Sequence, residues 1–370
     1  MSLNIYYVGP FDFPNGGAAA RRIIGNVNTL RAIGASVTIV DGKYIKKSQV
    51  MNGIPVISVE ERPAPKCNIF KKVIKYLSIG RNTTSYISAE AIKPDIIFLY
   101  SGYTPYLLKL MKFCSKNNIK LVFDCVEWYL PKSYLEYLYK PYYWNVEFAM
   151  RFLIPKCDGV VCISKYLESY YFKKNCKVIN IPPTLSITNL PQKNEIDFHG
   201  KIKLVYTGSP GHKDKLEDVI QVITSLKDKF ELNIAGIEGA STDNIHYHGI
   251  LSHEKSLDLV SKSHFSVLLR PDNKVSKAGF STKVVESMSC GTPVITNNTG
   301  DLDSFISDGV SGYIFNGYST KELYLKLNEI TDKLDESTYK SISSEALCVA
   351  KNKFESNMYT KNIEKFITSL

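Results

Sequence analysis

Residues 264–296 read HFSVLLRPDNKVSKAGFSTKVVESMSCGTPVIT. The run HFSVLL is apolar with aromatic and β-branched members, and it reads as a strand over 264–269. Ser281 suits the N-cap of a helix beginning at Thr282. Gly291 suits the position just past its end, and Pro293 forbids continuation. Val284 and Met288 stand four apart and share one helical face, which packs onto a sheet. A second strand follows over 292–296. Strand, helix and strand in this order specify parallel pairing in a sheet covered on both faces.

Within that helix Glu286 lies about 200° from Val284 and Met288, so it points away from the packed face. A capping box would need Ser or Thr at 283, where Lys283 stands. A Lys283–Glu286 surface pair would be worth only about 0.2–0.5 kcal/mol. The functional alternative is a carboxylate in the first turns of a helix whose N-terminal amides face a cleft. Helix N-termini attract phosphate, and a nearby carboxylate takes ribose hydroxyls.

The same grammar runs outward in both directions. Strands are expected at 3–8, 37–40, 95–100, 120–124, 159–164 and 177–181, with helices over 17–33, 106–116 and 165–173. After the stretch 182–200, polar and holding three prolines, strands recur at 203–206 and 231–235, with a helix over 213–226. A chain of 370 residues suits two domains. The expectation is an α/β protein of two Rossmann-like parallel-sheet domains, residues 1–185 and 200–336, facing a cleft, with residues 186–199 as linker. The tail 337–370 has helical spacing and is expected to pack back on the first domain. Ligands of such sheets bind beyond the carboxyl ends of the strands.

Composition narrows the class. Apolar residues make up 44% and charged residues 22%, an ordinary globular balance. No stretch approaches the roughly 18 apolar residues of a membrane span, and MSLNIYYVGPFDF lacks the basic and apolar regions of a signal peptide. Eight scattered cysteines form no CxxC, and six histidines form no HExxH. This pattern suits reduced thiols in a cytoplasm, without structural zinc. The net charge of +10 is uneven: residues 1–185 hold 25 Lys/Arg against 12 Asp/Glu, an excess of +13, and the remainder holds 21 against 24, or −3. A basic first half attracts polyanions such as anionic lipid or diphosphate-bearing substrates, or is simply a basic surface.

The segment FSTKVVE (280–286) followed by SMSCGTPVI resembles the nucleotide-sugar site of the GT-B retaining glycosyltransferases, family 4 (group 1). Residues 308–315, DGVSGYIF, look like a hairpin of that family. VYTGSPGHKD (205–214) and the Gly16-Gly17 loop before a helix extend the resemblance over most of the chain. It implies transfer of a sugar, with retention, from a nucleotide-sugar donor to a carbohydrate acceptor, lipid-linked or not, as in bacterial surface polysaccharide assembly. By position Glu286 would hold the donor ribose. Lys283, Thr282 and the amides behind Phe280, Ser281 among them, would line the diphosphate, with Gly208 in the facing loop. Lys213 would neutralise the leaving diphosphate, because cleaving a sugar–phosphate bond builds negative charge that needs a fixed counter-charge, and Arg270 would be a second phosphate or donor-sugar residue. No metal or cofactor is expected. The single DxD, Asp301-Leu-Asp303, reads as turn chemistry.

Three positions depart from the pattern. Ala278 replaces the first Glu of the family motif, Ser209 stands where many members carry Arg, and the first half has no histidine. Where members place that histidine, this chain offers Asp124 and Glu127, which either serve the chemistry or cap a helix and pair with Lys132. An inactive scaffold that binds nucleotide-sugar or glycan therefore stays open beside the enzyme, as does a nucleotide-sugar epimerase. The segment 128–156 interleaves tyrosines and both tryptophans with Lys132, Lys140, Arg151 and Lys156. It reads either as core packing or as an interfacial surface on an anionic membrane, with the protein peripheral on the cytoplasmic face. Aromatics with cations also suit single-stranded nucleic acid, but no nucleic-acid module is present, so no such partner is expected.

Overall fold

The structure is a computed structural model and describes residues 3–370 except 16, 102, 103, 132 and 212. The chain forms two α/β units, residues 1–184 with 356–370, and residues 185–355.

The first unit holds an eight-stranded sheet. Its strands are β1 (Asn4–Gly9), β2 (Ser36–Asp41), β3 (Lys46–Met51), β4 (Ile54–Val59), β5 (Ile96–Tyr100), β6 (Lys120–Cys125), β7 (Gly159–Cys162) and β8 (Val178–Asn180), in the order β3-β4-β2-β1-β5-β6-β7-β8. All neighbours pair in parallel except β3 and β4. The expected strands are present because their apolar runs are buried: Ile96 to Leu99 and Leu121 to Cys125 are all covered. The β3–β4 hairpin was not expected. It turns on Asn52-Gly53, both at positive φ, the two-residue connection that suits the twist of paired strands. Sheet order reverses at β1, between β2 and β5, so the loops beyond these strand ends diverge there.

The tail divides between the units. Helix Glu336–Lys353 belongs to the second unit, and helix Thr360–Ser369 to the first. Ile363 and Phe366 enter the core of β1, β2 and β5. A Cβ at Gly159 would meet the Phe366 ring at 2.5 Å, so a glycine is required where this helix crosses β7.

The second unit holds a six-stranded, wholly parallel sheet. Its strands are β9 (Ile202–Thr207), β10 (Phe230–Ala235), β11 (Ile245–Tyr247), β12 (Phe265–Leu268), β13 (Val294–Asn297) and β14 (Gly312–Phe315), in the order β11-β10-β9-β12-β13-β14. Here the order reverses at β9, so the turns after β9 and β12 open side by side. Residues 308–315 are not a hairpin: a turn at Asp308 leads into β14, which runs parallel to β13 with Val294 opposite Gly312. Residues 186–199 are not a free linker either. Leu190 packs against a cluster of Val205, Leu257, Val260 and Cys290, and Lys193 Nζ donates to Thr292 Oγ1 at 2.9 Å. These contacts anchor the stretch to the second unit.

Candidate functional site

Helix Thr282–Ser289 stands as the sequence specified, with Ser281 in the N-cap position and Cys290 ending it. Val284 and Met288 are wholly buried. Ser281 fills the cap with its backbone alone; its hydroxyl accepts no capping bond. Thr282 and Lys283 are half-buried in the first turn. Lys283 and Glu286 lie one turn apart and share a face. Glu286 is buried, and its Oε1 lies 3.1 Å from Nε2 of His253, the first residue of helix His253–Ser261. Sequence reasoning missed His253, because 33 residues separate the partners.

Lys283 reaches back toward the turn after β9. Its Nζ lies 2.7 Å from Asp214 Oδ2 and 4.9 Å from the centre of the Tyr206 ring. Tyr206 donates its hydroxyl to the same oxygen at 2.6 Å. Burial first, and then the Asp214 carboxylate, pushes the Tyr206 phenol up, so it stays a neutral donor. Arg270 Nε lies 3.5 Å from Asp214 Oδ1. The Arg270 backbone is clamped at both ends by Asn297, whose Oδ1 accepts its N–H at 2.9 Å and whose Nδ2 donates to its carbonyl at 2.8 Å. Lys283 and Arg270 therefore converge on one carboxylate that is 4% exposed.

The turn itself is built by glycines. Gly208 has φ 88°, and its N–H donates to Ala235 O at 2.7 Å. A Cβ at Gly236 would sit 2.6 Å from the Gly208 Cα, so the two turns lie backbone against backbone. Lys213, expected at the leaving diphosphate, is exposed, and its backbone N–H bonds Pro210 O. Asp214, one residue on, is the group directed inward. The Phe280 ring packs against Phe305 and Phe354 at 5.2 and 6.1 Å, so its side chain anchors the turn whose amides precede the helix. Ala278 is fully buried at the end of the short helix Lys274–Ala278.

In the first unit Asp124 is a structural hub. It takes Arg22 Nη2 at 2.8 Å, the Tyr7 hydroxyl at 2.5 Å and Asn26 Nδ2 at 3.2 Å. Arg22 also donates to the carbonyls of Ile181 and Pro182. Every group in this network is at most 4% exposed. Asp124 is thus committed to tying helix Ala18–Ala32 to β6, and the expected catalytic role does not fit a carboxylate with no exposed surface. Glu127 is half-buried beside Tyr129, whose phenol is pushed up by burial and then by Glu127. Gly17, with φ 60°, opens helix Ala18–Ala32 and has open space around its Cα; Gly16 lies outside the described residues.

The aromatic–basic segment is split. Trp128 is 1% exposed, donates to Glu147 Oε1 at 2.5 Å, and lies under Arg151. It is a core residue, whereas Trp144, Phe148 and Phe152 are about half exposed. Lys140 pairs with Glu136, and Lys132 lies outside the described residues.

Comparison with known proteins supplies independent findings. Residues 187–346 match the family model of the glycosyl transferases group 1. A relative from Klebsiella pneumoniae, described as an uncharacterized 41.2 kDa protein in the cps region, is 24% identical over 268 residues, 64% of this chain and 72% of the relative. Among solved structures, a sucrose-phosphate synthase from Thermosynechococcus elongatus superposes with a TM-score of 0.77 at 14% identity, over 99% of this chain and 98% of the other. HepE of Anabaena, solved with UDP, gives 0.67 at 13% over the whole of both chains, and it has also been solved with UDP-glucose. WaaG, a glycosyltransferase involved in lipopolysaccharide biosynthesis, gives 0.66 at 13% over 98% of this chain and 99% of its own. At such identities the likenesses establish the fold, and they extend through both α/β units.

Proposed function

We propose that this chain, whose residues 187–346 match the glycosyl transferases group 1 and which has the GT-B fold, moves a sugar with retention from a nucleoside-diphosphate sugar to a glycan acceptor. It is a glycosyltransferase; the donor, the stereochemistry and the acceptor are the proposed part. The carrying observation is the convergence of Lys283 and Arg270 on Asp214, with Glu286 one turn along the helix from Lys283. Two cations beside a helix N-terminus suit a diphosphate, and a buried carboxylate on the same helix suits ribose hydroxyls. HepE, a protein of the same fold, has been solved with UDP-glucose.

In this reading the negative charge that grows on the leaving diphosphate is met by Lys283, Arg270 and the amides of Ser281 to Lys283, without a metal. Asp214 holds both cations in place beforehand, so little reorganisation is needed as the bond breaks. His253 fixes the Glu286 carboxylate, and exposed Lys213 adds positive charge at the rim. The acceptor is a surface glycan in assembly, carried on a lipid at an anionic membrane. The excess positive charge of the first 185 residues and the fold shared with WaaG support this part. Among the described residues no helix is long and apolar enough to cross a membrane, so contact with one would be peripheral.

A thermal-shift screen against UDP-, GDP-, ADP- and CMP-linked sugars tests the donor, because a ligand that binds only the folded protein raises its melting temperature. Acceptor-dependent release of a nucleoside diphosphate tests transfer. No shift with any donor and no release with lipid-linked glycans would overturn the proposal.

A further inference from the structure

Helix Ile69–Ser78 in the first unit is amphipathic, yet it is mounted with its apolar face outward. At 100° per residue, Ile69, Val73, Leu77, Phe70 and Ile74 fall within an arc of about 140°. Their exposures are 70, 50, 61, 77 and 63%, and no residue of the helix is buried. The polar side faces the protein: Lys75 Nζ donates to Glu60 O at 2.6 Å and lies 3.7 Å from its carboxylate. Lys109 Nζ holds the C-terminal end through the carbonyls of Leu77 and Ile79. Asn68 caps the other end, its Oδ1 accepting the Lys71 N–H at 2.9 Å. The helix is thus fastened by polar groups while five large apolar side chains stand in water. Single exposed apolar residues are ordinary, but a contiguous patch of this kind marks an interaction surface.

The charges select the occupant. The helix holds Lys71, Lys72 and Lys75 and no acidic residue, and exposed Lys66 and Arg62 precede it. Cations flank the apolar arc, as they do in helices lying in a bilayer interface, where apolar groups enter the acyl boundary and lysines meet phosphate headgroups. A second copy of the chain fits poorly. A two-fold contact would set this patch against itself and bring lysines of one helix onto those of the other. Ten residues span about 15 Å, half a hydrocarbon core, so the helix would lie in the plane of the membrane. The surface also continues. Tyr76 and Ile79 line a hollow with Tyr142, which lies two residues before the half-exposed Trp144 and six before the half-exposed Phe148.

We infer that helix Ile69–Ser78 is the membrane-docking element of this protein, seated flat on an anionic lipid surface. Ile69, Phe70, Val73, Ile74 and Leu77 enter the bilayer, and Lys66, Lys71 and Lys72 contact lipid phosphates. The inference deepens the membrane part of the proposed function and rests on it.

Co-sedimentation of the full chain with vesicles of phosphatidylglycerol and phosphatidylcholine, and with phosphatidylcholine alone, tests it. The wild type should bind the anionic vesicles and be released by high salt. Phe70→Glu/Ile74→Glu should weaken that binding at least about tenfold, and Lys71→Glu/Lys72→Glu by a comparable factor. Phe70→Ser/Ile74→Ser removes the apolar groups without adding charge and should behave like the first variant. All four substituted side chains are exposed, so each variant should keep the wild-type melting temperature and donor-induced thermal shift. Unchanged anionic binding by the two apolar variants would overturn the helix assignment while leaving membrane association standing. Absence of binding by the wild type would overturn both, as would concentration-dependent dimerisation that the variants abolish.

Discussion

Asp124→Ala separates a structural carboxylate from a catalytic one. Asp124 is fully buried and takes Arg22, Tyr7 and Asn26. Without it Arg22, 2% exposed, keeps only the carbonyls of Ile181 and Pro182 and loses its counter-charge. Removing one partner of a buried ion pair costs about 3–5 kcal/mol, a large share of the roughly 5–15 kcal/mol that holds a domain together. For a unit of this size each kcal/mol lowers Tm by about 2–4 °C, so the expected fall is about 6–20 °C. The chain contains two tryptophans, Trp128 and Trp144, both in the first unit, so their fluorescence follows that unit's urea unfolding. The double variant Arg22→Met/Asp124→Leu should lose less stability than Asp124→Ala, since the pair leaves together and apolar groups replace it. Donor affinity in the still-folded fraction should be unchanged. An Asp124→Ala protein that unfolds within about 1 kcal/mol of wild type yet loses turnover would refute this reasoning and return Asp124 to the chemistry.

Four further outcomes are expected. Glu286→Ala should weaken donor binding about ten- to a hundred-fold, the worth of a charged hydrogen bond, with the fold intact by calorimetry. Lys283→Ala and Arg270→Ala should lower kcat by about a hundred- to a thousand-fold in steady-state assays; a rise in KM alone would confine them to ground-state binding. His264 is held neutral by burial, with Nδ1 accepting the Lys203 N–H, and its pKa is pushed down to about 4. The unfolded chain protonates it near 6.5, so this contribution is complete above that pH and is lost as pH falls toward 4; the protection factors of β9 amides, which are normalised to the intrinsic exchange rate at each pH, should fall across that window. Activity should survive EDTA, and a complete loss restored by Mg²⁺ or Mn²⁺ would place a metal in the reaction.

What the sequence reveals here depends on distance along the chain. The strands at 96–100, 120–125 and 202–207 were legible because their apolar runs declare burial on both faces. Lys283 and Glu286 were legible as a pair because three residues on a helix fix their geometry. Asp214 was passed over for Lys213 because nothing local distinguishes two adjacent charged residues; its partner Lys283 lies 69 residues away. The Asp124 network was invisible for the same reason, with Tyr7, Arg22 and Asn26 at separations of 117, 102 and 98 residues. The β3–β4 hairpin is a different case. Asn52-Gly53 between β-prone segments is a strong local signal, although the flanking KKSQV lacks the apolar run that marks the other strands. Helix Ile69–Ser78 is a third. Its periodicity declares an apolar face, but periodicity reports only that such a face exists, not what covers it.

The arrangement around Asp214 also follows from electrostatics. The Lys283 and Arg270 side chains are 19% and 5% exposed. Two cations in so dry a place would repel each other, and taking both out of water carries a desolvation cost. A carboxylate between them removes both difficulties and leaves the trio at a net +1. The Tyr206 hydroxyl and the clamp of Asn297 on the Arg270 backbone hold the set in register. With the N-terminus of helix Thr282–Ser289 contributing about half a charge more, the region presents a fixed positive field that needs no incoming ligand to form. On the proposed reading the same carboxylate would repel an arriving diphosphate. The field would then stabilise charge that appears as a bond breaks, while the carboxylate tempers its hold on a fully formed nucleoside diphosphate. In that reading a bare pair of cations would bind the product more tightly and release it more slowly, and Asp214 between Lys283 and Arg270 would ease product release.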